Sequence, residues 1–303
     1  MAGIITTGSH PKAHWPGIAK WWGVNYKNMT PTWKQIFESR TSEMSYEEEV
    51  EDVGMGLLGV KGQGSGINYD TTSQGTVSRY SHLTYALGYI VTLEELQDNL
   101  YEKVSRKRTM RLARSTFETE EIVHANVLNR AFTAAYAGGD SKELCATDHP
   151  TASGNQSNEL TIAADLSEGS IEDMCIQIRN STDSRGLRFP NKAKQLIVPN
   201  NLEFEAHRIL DSVLQNDSAN NAVNVLKAQK TIPGGIIVWD YLTDPDAWFI
   251  QTDCMDGLTH FTRMAATFDK DNDFDTKNAK ASVIARWSQG WSDFRNVSGS
   301  PGA

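Results

Sequence analysis

Two apolar stripes at helical spacing lie in the middle of the chain. The first consists of Leu93, Leu96, Leu100 and Val104, and the second of Ile122, Ala125, Leu128, Phe132 and Ala135. Thr92 followed by Glu95 matches a capping box, and Gly138-Gly139 supplies a stop. The pattern predicts a helix over 93–137, with a kink near Ser115-Thr116 left open because the stripes fall out of phase there.

An unbroken helix of that length would measure roughly 67 Å. A compact globule of 303 residues has a diameter of only about 50 Å. A helix that long does not fit inside such a sphere, so the pattern predicts a flat or elongated molecule.

Alternation with period two begins before this helix. Residues 77–87 alternate in this way and are rich in aromatic and branched side chains, which predicts a strand. Seven glycines occur in the 22 residues from Gly54 to Gly75, which predicts a flexible or sharply bent excursion. Together the two segments predict one long hairpin that projects from the body.

Shorter elements follow toward the C-terminus. The pattern predicts helices over 167–179 and 202–214, a strand at 195–198, a hairpin from 236–242 and 247–251, and a strand over 282–294. We therefore predict an α+β protein with one long helix and many short strands.

Charge and composition narrow the class of protein. The chain has 29 Lys and Arg residues against 38 Asp and Glu residues, for a net charge of −9. An acidic chain is a poor default binder of nucleic acid, and 39% hydrophobic residues indicate a globular protein. No apolar run is long enough for a membrane span or a signal peptide. Three widely spaced cysteines favour a reducing cytoplasm without a disulfide framework.

The first forty residues carry aromatic and basic side chains. Four of the eight tryptophans lie there, namely Trp15, Trp21, Trp22 and Trp33. Five basic residues stand against Glu38 alone, and prolines disfavour a long helix. An acidic block, residues 43–52, follows directly. Such an arm either wraps its own domain or packs on another chain, and the sequence favours neither.

The candidate chemical motifs lack their structural context. Gly54, Gly56 and Gly59 fit the dinucleotide fingerprint, but further glycines follow where a helix is required. Cys145 and His149 have no second ligand pair for zinc. The sequence therefore predicts no catalytic, cofactor-binding or metal-binding residues, and the chain is not expected to be an enzyme.

One basic stripe stands out on the predicted long helix. Lys103, Lys107, Arg111 and Arg114 share one face at helical spacing. A solvated face is the simpler interpretation. The alternative is a surface that faces a polyanion or an acidic neighbour.

The order of these segments resembles one family. The quoted motifs are Tyr89-Ile-Val-Thr-Leu-Glu-Glu, Asn129-Arg-Ala-Phe132, Thr147-Asp-His-Pro150, Gly154-Asn-Gln-Ser-Asn158, Leu196-Ile-Val-Pro199, Trp248-Phe-Ile250, Asp271-Asn-Asp-Phe-Asp-Thr276 and Gly290-Trp-Ser-Asp-Phe-Arg295. In this order the chain resembles the major capsid (major head) protein of tailed bacteriophages, which has the Hong Kong 97 fold, and most closely the Mu-like head subunits.

The resemblance implies a domain organisation. It assigns 1–50 to an N-terminal arm and 51–90 to an extended loop hairpin. It assigns 91–165 and 270–303 to a peripheral domain with the spine helix, and 166–269 to an axial domain. Contacts between subunits would come from the tryptophans of the arm and from the hairpin region, through Trp15, Trp21, Trp22, Trp33, Glu47, Glu48, Glu49, Lys61, Tyr69 and Arg79.

The resemblance also implies partners. The chain would assemble with itself as pentamers and hexamers into an icosahedral virion in the host cytoplasm and package double-stranded DNA non-specifically. A separate scaffold protein, a portal and a decoration protein would be its other partners, with no membrane and no cofactor. Two alternatives stay open, which are an encapsulin-like shell of the same fold and a soluble nucleotide-dependent enzyme.

Overall fold

The structure is a computed structural model that describes residues 16–92, 94–95, 101–214, 222–273 and 278–303. Its helices are α1 (Pro16–Lys27), α2 (Tyr101–Asn129), α3 (Glu168–Asn180), α4 (Glu203–Asp211) and α5 (Val225–Ala228). Its strands are β1 (Glu38–Thr41), β2 (Tyr46–Asp52), β3 (Gln74–Ser81), β4 (Leu83–Val91), β5 (His149–Thr151), β6 (Gly154–Gln156), β7 (Ala193–Val198), β8 (Ile236–Val238), β9 (Trp248–Thr252), β10 (Leu258–Asn272), β11 (Ala279–Trp291) and β12 (Val297–Ser300). This mixture confirms the predicted α+β class.

One four-stranded sheet has the order β1-β10-β11-β4. β10 and β11 pair antiparallel along almost their whole length, β4 pairs antiparallel with β11, and β1 lies parallel to β10 at the other edge. The two central strands contain 15 and 13 residues and are much longer than the other strands. The sequence pattern missed β10 because much of it is half-buried and its outward positions carry charges such as Arg263 and Asp269.

Helix α2 packs against this sheet. In the described residues it runs without a break through Ser115-Thr116. The predicted end at Gly138-Gly139 is wrong, because the helix already ends at Asn129. The side chain of Asn129 donates to the carbonyl of Tyr241 (3.1 Å) and accepts from the amide of Thr243 (3.0 Å), which attaches the helix end to the segment between β8 and β9.

Gly138 serves packing instead of stopping the helix. A Cβ atom there would lie 2.2 Å from the ring of Trp291, so only glycine lets the chain pass this indole.

A second four-stranded sheet has the order β12-β9-β7-β8. β7 lies between β8 and β9, parallel to the first and antiparallel to the second. The predicted hairpin of 236–242 with 247–251 is therefore wrong, because both segments pair with β7 and not with each other. α3 and α4 cover this sheet, and Ile171, Met174, Leu196 and Trp248 are among its buried side chains.

The predicted projecting hairpin is present but is built differently. β2 and β3 form a two-stranded antiparallel sheet, and the loop 53–73 connects them. The single strand expected over 77–87 is divided at His82 into β3 and β4. The division occurs because β3 pairs with β2 in the hairpin, whereas β4 pairs with β11 in the body.

Candidate functional site

The aromatic arm is partly built into the core of its own chain. The ring of Trp33 stacks on His124 at 4.2 Å between ring centroids and lies 4.5 Å from His260, and its side chain is 4% exposed. Trp22 is also buried and stacks on Tyr26 at 4.9 Å. Residues of the same chain already cover the rings of Trp22 and Trp33, so each ring leaves little surface for the predicted contact with another subunit.

The other two tryptophans differ from these. Trp21 is half-buried, and the guanidinium of Arg106 lies 5.7 Å from the centroid of its ring. Trp15 lies outside the described residues. The arm also forms helix α1, which begins at Pro16, a position where the missing N–H costs nothing.

Two carboxylates of α2 attach the arm to the body. Glu121 accepts from the amide of Thr32 (2.6 Å) and from the indole N–H of Trp239 (2.7 Å). Tyr26 donates its hydroxyl to Glu120. Burial raises the pKa of both glutamates. The arm segment from 26 to 33 is therefore held by charge-assisted hydrogen bonds as well as by ring stacking.

A pair of buried histidines lies beneath Trp33. His124 donates through Nδ1 to the carbonyl of Glu120 (2.6 Å), and its Nε2 accepts from Nδ1 of His260 (2.9 Å). Nε2 of His260 in turn accepts from the hydroxyl of Thr262 (2.9 Å). Burial lowers the pKa of His124 to about 4 and, with the neighbouring His124, that of His260 to about 3. Both rings are therefore neutral at pH 7.

The acidic block at the base of the hairpin is paired within its own chain. Glu49 accepts from Arg40 and from the hydroxyl of Ser292. Glu47 accepts from the hydroxyl of Ser42 (2.5 Å). These contacts attach β2 to the large sheet, so Glu47 and Glu49 already have partners within their own chain.

The outer face of the hairpin carries the remaining predicted contacts. Glu48 lies 3.7 Å from Arg79, whose guanidinium stacks over the ring of Tyr46 at 4.0 Å. Both charged side chains are largely exposed. Lys61 and Tyr69 in the loop are exposed as well. These four residues remain candidates for contacts between subunits.

The loop 53–73 exposes apolar side chains to solvent. Met55, Leu57, Leu58, Val60, Ile67 and Tyr69 are all exposed. The amide of Gly56 donates to Asp70 (2.7 Å), and Asp70 pairs with Arg185 of the body. Apolar residues of this size with no cover in their own chain indicate a surface that binds another molecule.

The basic stripe lies on the surface of α2. Lys107, Arg111 and Arg114 are exposed at positions that share one face. Arg114 pairs with Glu118 one turn later (2.6 Å). The side chain of Lys103 lies outside the described part of the structure.

A comparison with models of protein families shows which family this chain belongs to. The family model for phage capsid protein matches residues 75–296, which is more than half of the chain. The chain belongs to the phage capsid protein family. No curated protein sequence matches it significantly.

Solved capsid structures have the same fold. The virus-like particle from Pyrococcus furiosus is similar with a TM-score of 0.53 at 10% identity, covering 94% of this chain and 98% of that chain. The procapsid of bacteriophage JBD30 gives 0.52 at 15% identity and covers 98% and 76%. Mycobacterium phage Patience gives 0.53 at 12% identity and covers 99% and 92%. This phage capsid protein therefore has the predicted Hong Kong 97-type fold.

The family match and the fold indicate that this capsid protein is a structural component of a phage particle and not an enzyme. The dinucleotide interpretation of Gly54, Gly56 and Gly59 is wrong, because these glycines lie in the loop after β2 and no helix follows them there. Among the described residues no group of His, Cys, Asp or Glu side chains is placed to hold a metal ion. No helix in that part of the chain is long and apolar enough to cross a membrane.

Sequence reasoning missed three exposed apolar residues of the loop. It named Lys61 and Tyr69 in the loop but not Leu57, Leu58 and Val60, which are more than four-fifths exposed. The sequence does contain a signal for these residues. Three large apolar residues lie in a glycine-rich segment whose spacing matches neither a helix nor a strand, so no regular element is predicted to bury them.

Proposed function

We propose that this capsid protein assembles as pentamers and hexamers into the icosahedral head of a tailed phage and encloses double-stranded DNA. The Mu-like branch is our proposed placement within the family. The observation that carries the proposal is the family match over 75–296 together with an exposed apolar hairpin loop. A subunit that exposes such a loop has a reason to associate.

The proposed organisation has an arm at 1–50, an extended hairpin at 51–90, a peripheral domain with α2, and an axial domain that begins near 166. Strand pairing supports moving the boundary between the axial domain and the C-terminal part of the peripheral domain. β10 pairs with β11 and β1, so we assign 258–269 to the peripheral domain together with 270–303. The axial domain then comprises β7, β8, β9 and their covering helices, and β12 of the C-terminal segment adds an edge strand to its sheet.

The proposed contacts between subunits use the exposed residues Glu48, Lys61, Tyr69 and Arg79, the half-buried Trp21, and also Trp15. The proposed partners other than this chain itself are a scaffold protein, a portal and a decoration protein.

The basic stripe of α2 is the proposed surface facing packaged DNA. A net charge of −9 with only a local basic stripe fits a container that holds DNA without binding it tightly. Neutralising Lys107, Arg111 and Arg114 together should lower genome retention. Normal particles with a full genome would contradict this assignment.

Expression of the chain, followed by sedimentation and negative-stain electron microscopy, tests the proposal. The expected result is large closed particles, empty or filled with DNA. Small shells filled with protein would instead support an encapsulin-like container, an alternative favoured by the similarity to the virus-like particle. A small oligomer that never forms shells under assembly conditions would contradict both.

A further inference from the structure

A pocket of about 270 Å³ lies where the end of α3, the start of β7 and the turn after α5 meet. Four basic side chains line it, namely Arg179, Lys192, Lys194 and Lys230. Among the described residues of the lining, Asp253 alone is acidic. Four positive charges against one negative charge leave the lining with a net formal charge of +3, in a chain whose net charge is −9.

The local backbone brings these charges together. Lys192 and Lys194 are two residues apart at the start of β7 and are both exposed, whereas Ala193 between them is buried, so the two lysines project from the same face. The turn after α5 lies directly against this strand, because the amide of Gly234 donates to the carbonyl of Lys194 (2.7 Å). A Cβ atom on Gly234 would lie 2.7 Å from the same oxygen, so only glycine allows this approach. The close approach places the turn that carries Lys230 at the pocket.

In the described part of the chain, the four basic side chains have no acidic partner at ion-pair distance. Lys142 and Arg185 elsewhere each pair with an aspartate. The carboxylate of Asp253 accepts from the backbone amide of Lys192 (2.8 Å). Positive charges that converge in this way repel each other, and a bound anion would relieve the repulsion.

Lys230 occupies a backbone position that normally selects glycine. Its φ is +49°, in the left-handed region. Its amide donates to the carbonyl of Lys227 and the amide of Thr231 donates to that of Leu226 (both 3.1 Å), which is the Schellman pattern at the end of α5. A side chain at this position costs free energy that glycine avoids. Folding therefore gains nothing from a lysine here, and its charge indicates a role in binding.

The lining matches a phosphate backbone better than an isolated carboxylate. A guanidinium such as that of Arg179 can bind two phosphate oxygens at once, and lysines act as point charges around a phosphate. Thr231 and Gln229 add a hydroxyl and an amide to the same lining. One carboxylate would neutralise only one of the four positive charges. Double-stranded DNA carries one negative charge for about every 1.7 Å of its axis, so it can neutralise several together.

We infer that the pocket formed by Arg179, Lys192, Lys194 and Lys230 binds the phosphate backbone of double-stranded DNA. The contact is independent of DNA sequence, because it involves phosphates and no base edges. The inference rests on the proposed function, in which the shell encloses DNA, and it assigns a contact surface separate from the basic stripe of α2.

Binding of a short fluorescent DNA duplex to the unassembled subunit, measured by anisotropy at several salt concentrations, tests the inference. The triple variant Lys192→Gln, Lys194→Gln and Lys230→Gly should lower the affinity at low salt at least tenfold. It should also reduce the slope of log affinity against log salt by about 3, because each lost phosphate contact removes about 0.9. The matched control removes three exposed positive charges elsewhere, through Lys20→Gln, Lys27→Gln and Arg263→Gln.

A loss that is large in the pocket variant and small in the control supports the inference. Equal losses in the two variants, or unchanged binding in the pocket variant, would overturn it. A polyglutamate peptide that binds the native subunit as tightly as the duplex would also overturn it, because the pocket would then recognise acidic segments in general. These outcomes leave the proposed shell intact, whereas an unsubstituted chain that forms no shells would contradict the proposed function itself.

A pair of single variants separates charge from folding. Lys230→Gly should reduce the salt slope by about 0.9 without lowering the free energy of unfolding, because glycine adopts this backbone conformation freely. Lys230→Arg keeps the charge and should keep the slope. Identical duplex binding by the two variants would contradict a role for the charge of Lys230.

Discussion

The arm segment 16–37 and the hairpin loop 53–73 differ in where their apolar side chains lie. Both regions were expected to contact neighbouring subunits. The ring of Trp33 in the arm is buried against two histidines, whereas Leu58 in the loop is fully exposed. The tryptophan-rich arm buries part of its aromatic surface within its own subunit. The glycine-rich loop leaves its apolar side chains exposed.

The difference follows from what each segment can reach. The arm lies beside α2, which offers Glu120, Glu121 and His124 as partners. The loop is attached near its base, where Arg185 binds Asp70 and the carbonyl of Thr71 and where Val53 is buried. Aromatic content therefore does not by itself separate a core contact from an interface contact; the decisive property is whether the same chain supplies a complementary surface.

Removing the ring of Trp33 is expected to have the largest effect. Trp33→Ala should lower the free energy of unfolding of the unassembled subunit by about 3–5 kcal/mol, because it leaves a cavity beside His124 and His260. Chemical denaturation measures this change. Trp21→Ala, at a half-buried position of the same arm, is the matched control and should cost much less. Equal losses would show that burial within the subunit does not distinguish the two.

Acidification is expected to weaken the same contact. His124 and His260 have a pKa of about 4 and about 3, against an ordinary value of 6.5. Below pH 6.5 the two histidines are protonated in the unfolded chain but stay neutral in the folded chain. The free energy of unfolding therefore falls as the pH decreases toward the folded pKa values. From pH 7 to pH 5 the His260 contribution is about 2 kcal/mol.

Denaturation at both pH values for the native chain and for His260→Gln isolates this contribution. Glu120 and Glu121 act with the opposite sign, because their raised pKa values favour the folded state as they take up protons. They are present in both chains and largely cancel in the comparison. The pH dependence should be smaller in His260→Gln, and an unchanged dependence would contradict the neutral histidine pair.

Glu121 should contribute less than the ring stack. In Glu121→Gln only one of the two side-chain oxygens remains, so either the Thr32 amide or the Trp239 indole loses its acceptor. We expect a loss of about 1–2 kcal/mol in the free energy of unfolding. Glu118→Gln on the same helix is the control, since its partner Arg114 is exposed, and it should leave stability unchanged. A loss in the control as large as in Glu121→Gln would contradict a specific role for the arm contact.

Periodicity predicted the elements that are half-buried over long stretches. It found α2, and it found β11 from the alternation around Trp287. It could not find the end of α2 at Asn129, because that end depends on hydrogen bonds to Tyr241 and Thr243, which are more than a hundred residues away.

The sequence pattern also did not show which strands pair or which side chains bury Trp33. Two apolar segments around Ile236 and Trp248 read as a hairpin, but the intervening β7 comes from earlier in the chain. The burial of Trp33 likewise depends on His124 and His260, which come from two separate elements. The glycine-rich loop was predicted correctly as an excursion because its composition alone excludes a packed core.

Removing the apolar side chains of the loop should have the smallest effect on the subunit. The triple variant Leu57→Ser, Leu58→Ser and Val60→Ser should change the free energy of unfolding by less than about 0.5 kcal/mol, because these side chains contact solvent in the isolated chain. The same variant should nevertheless fail to form particles in sedimentation, which the stability of the subunit alone would not explain. A loss of stability comparable to that of Trp33→Ala would instead mean that the loop packs on its own subunit, and the contrast between arm and loop would disappear.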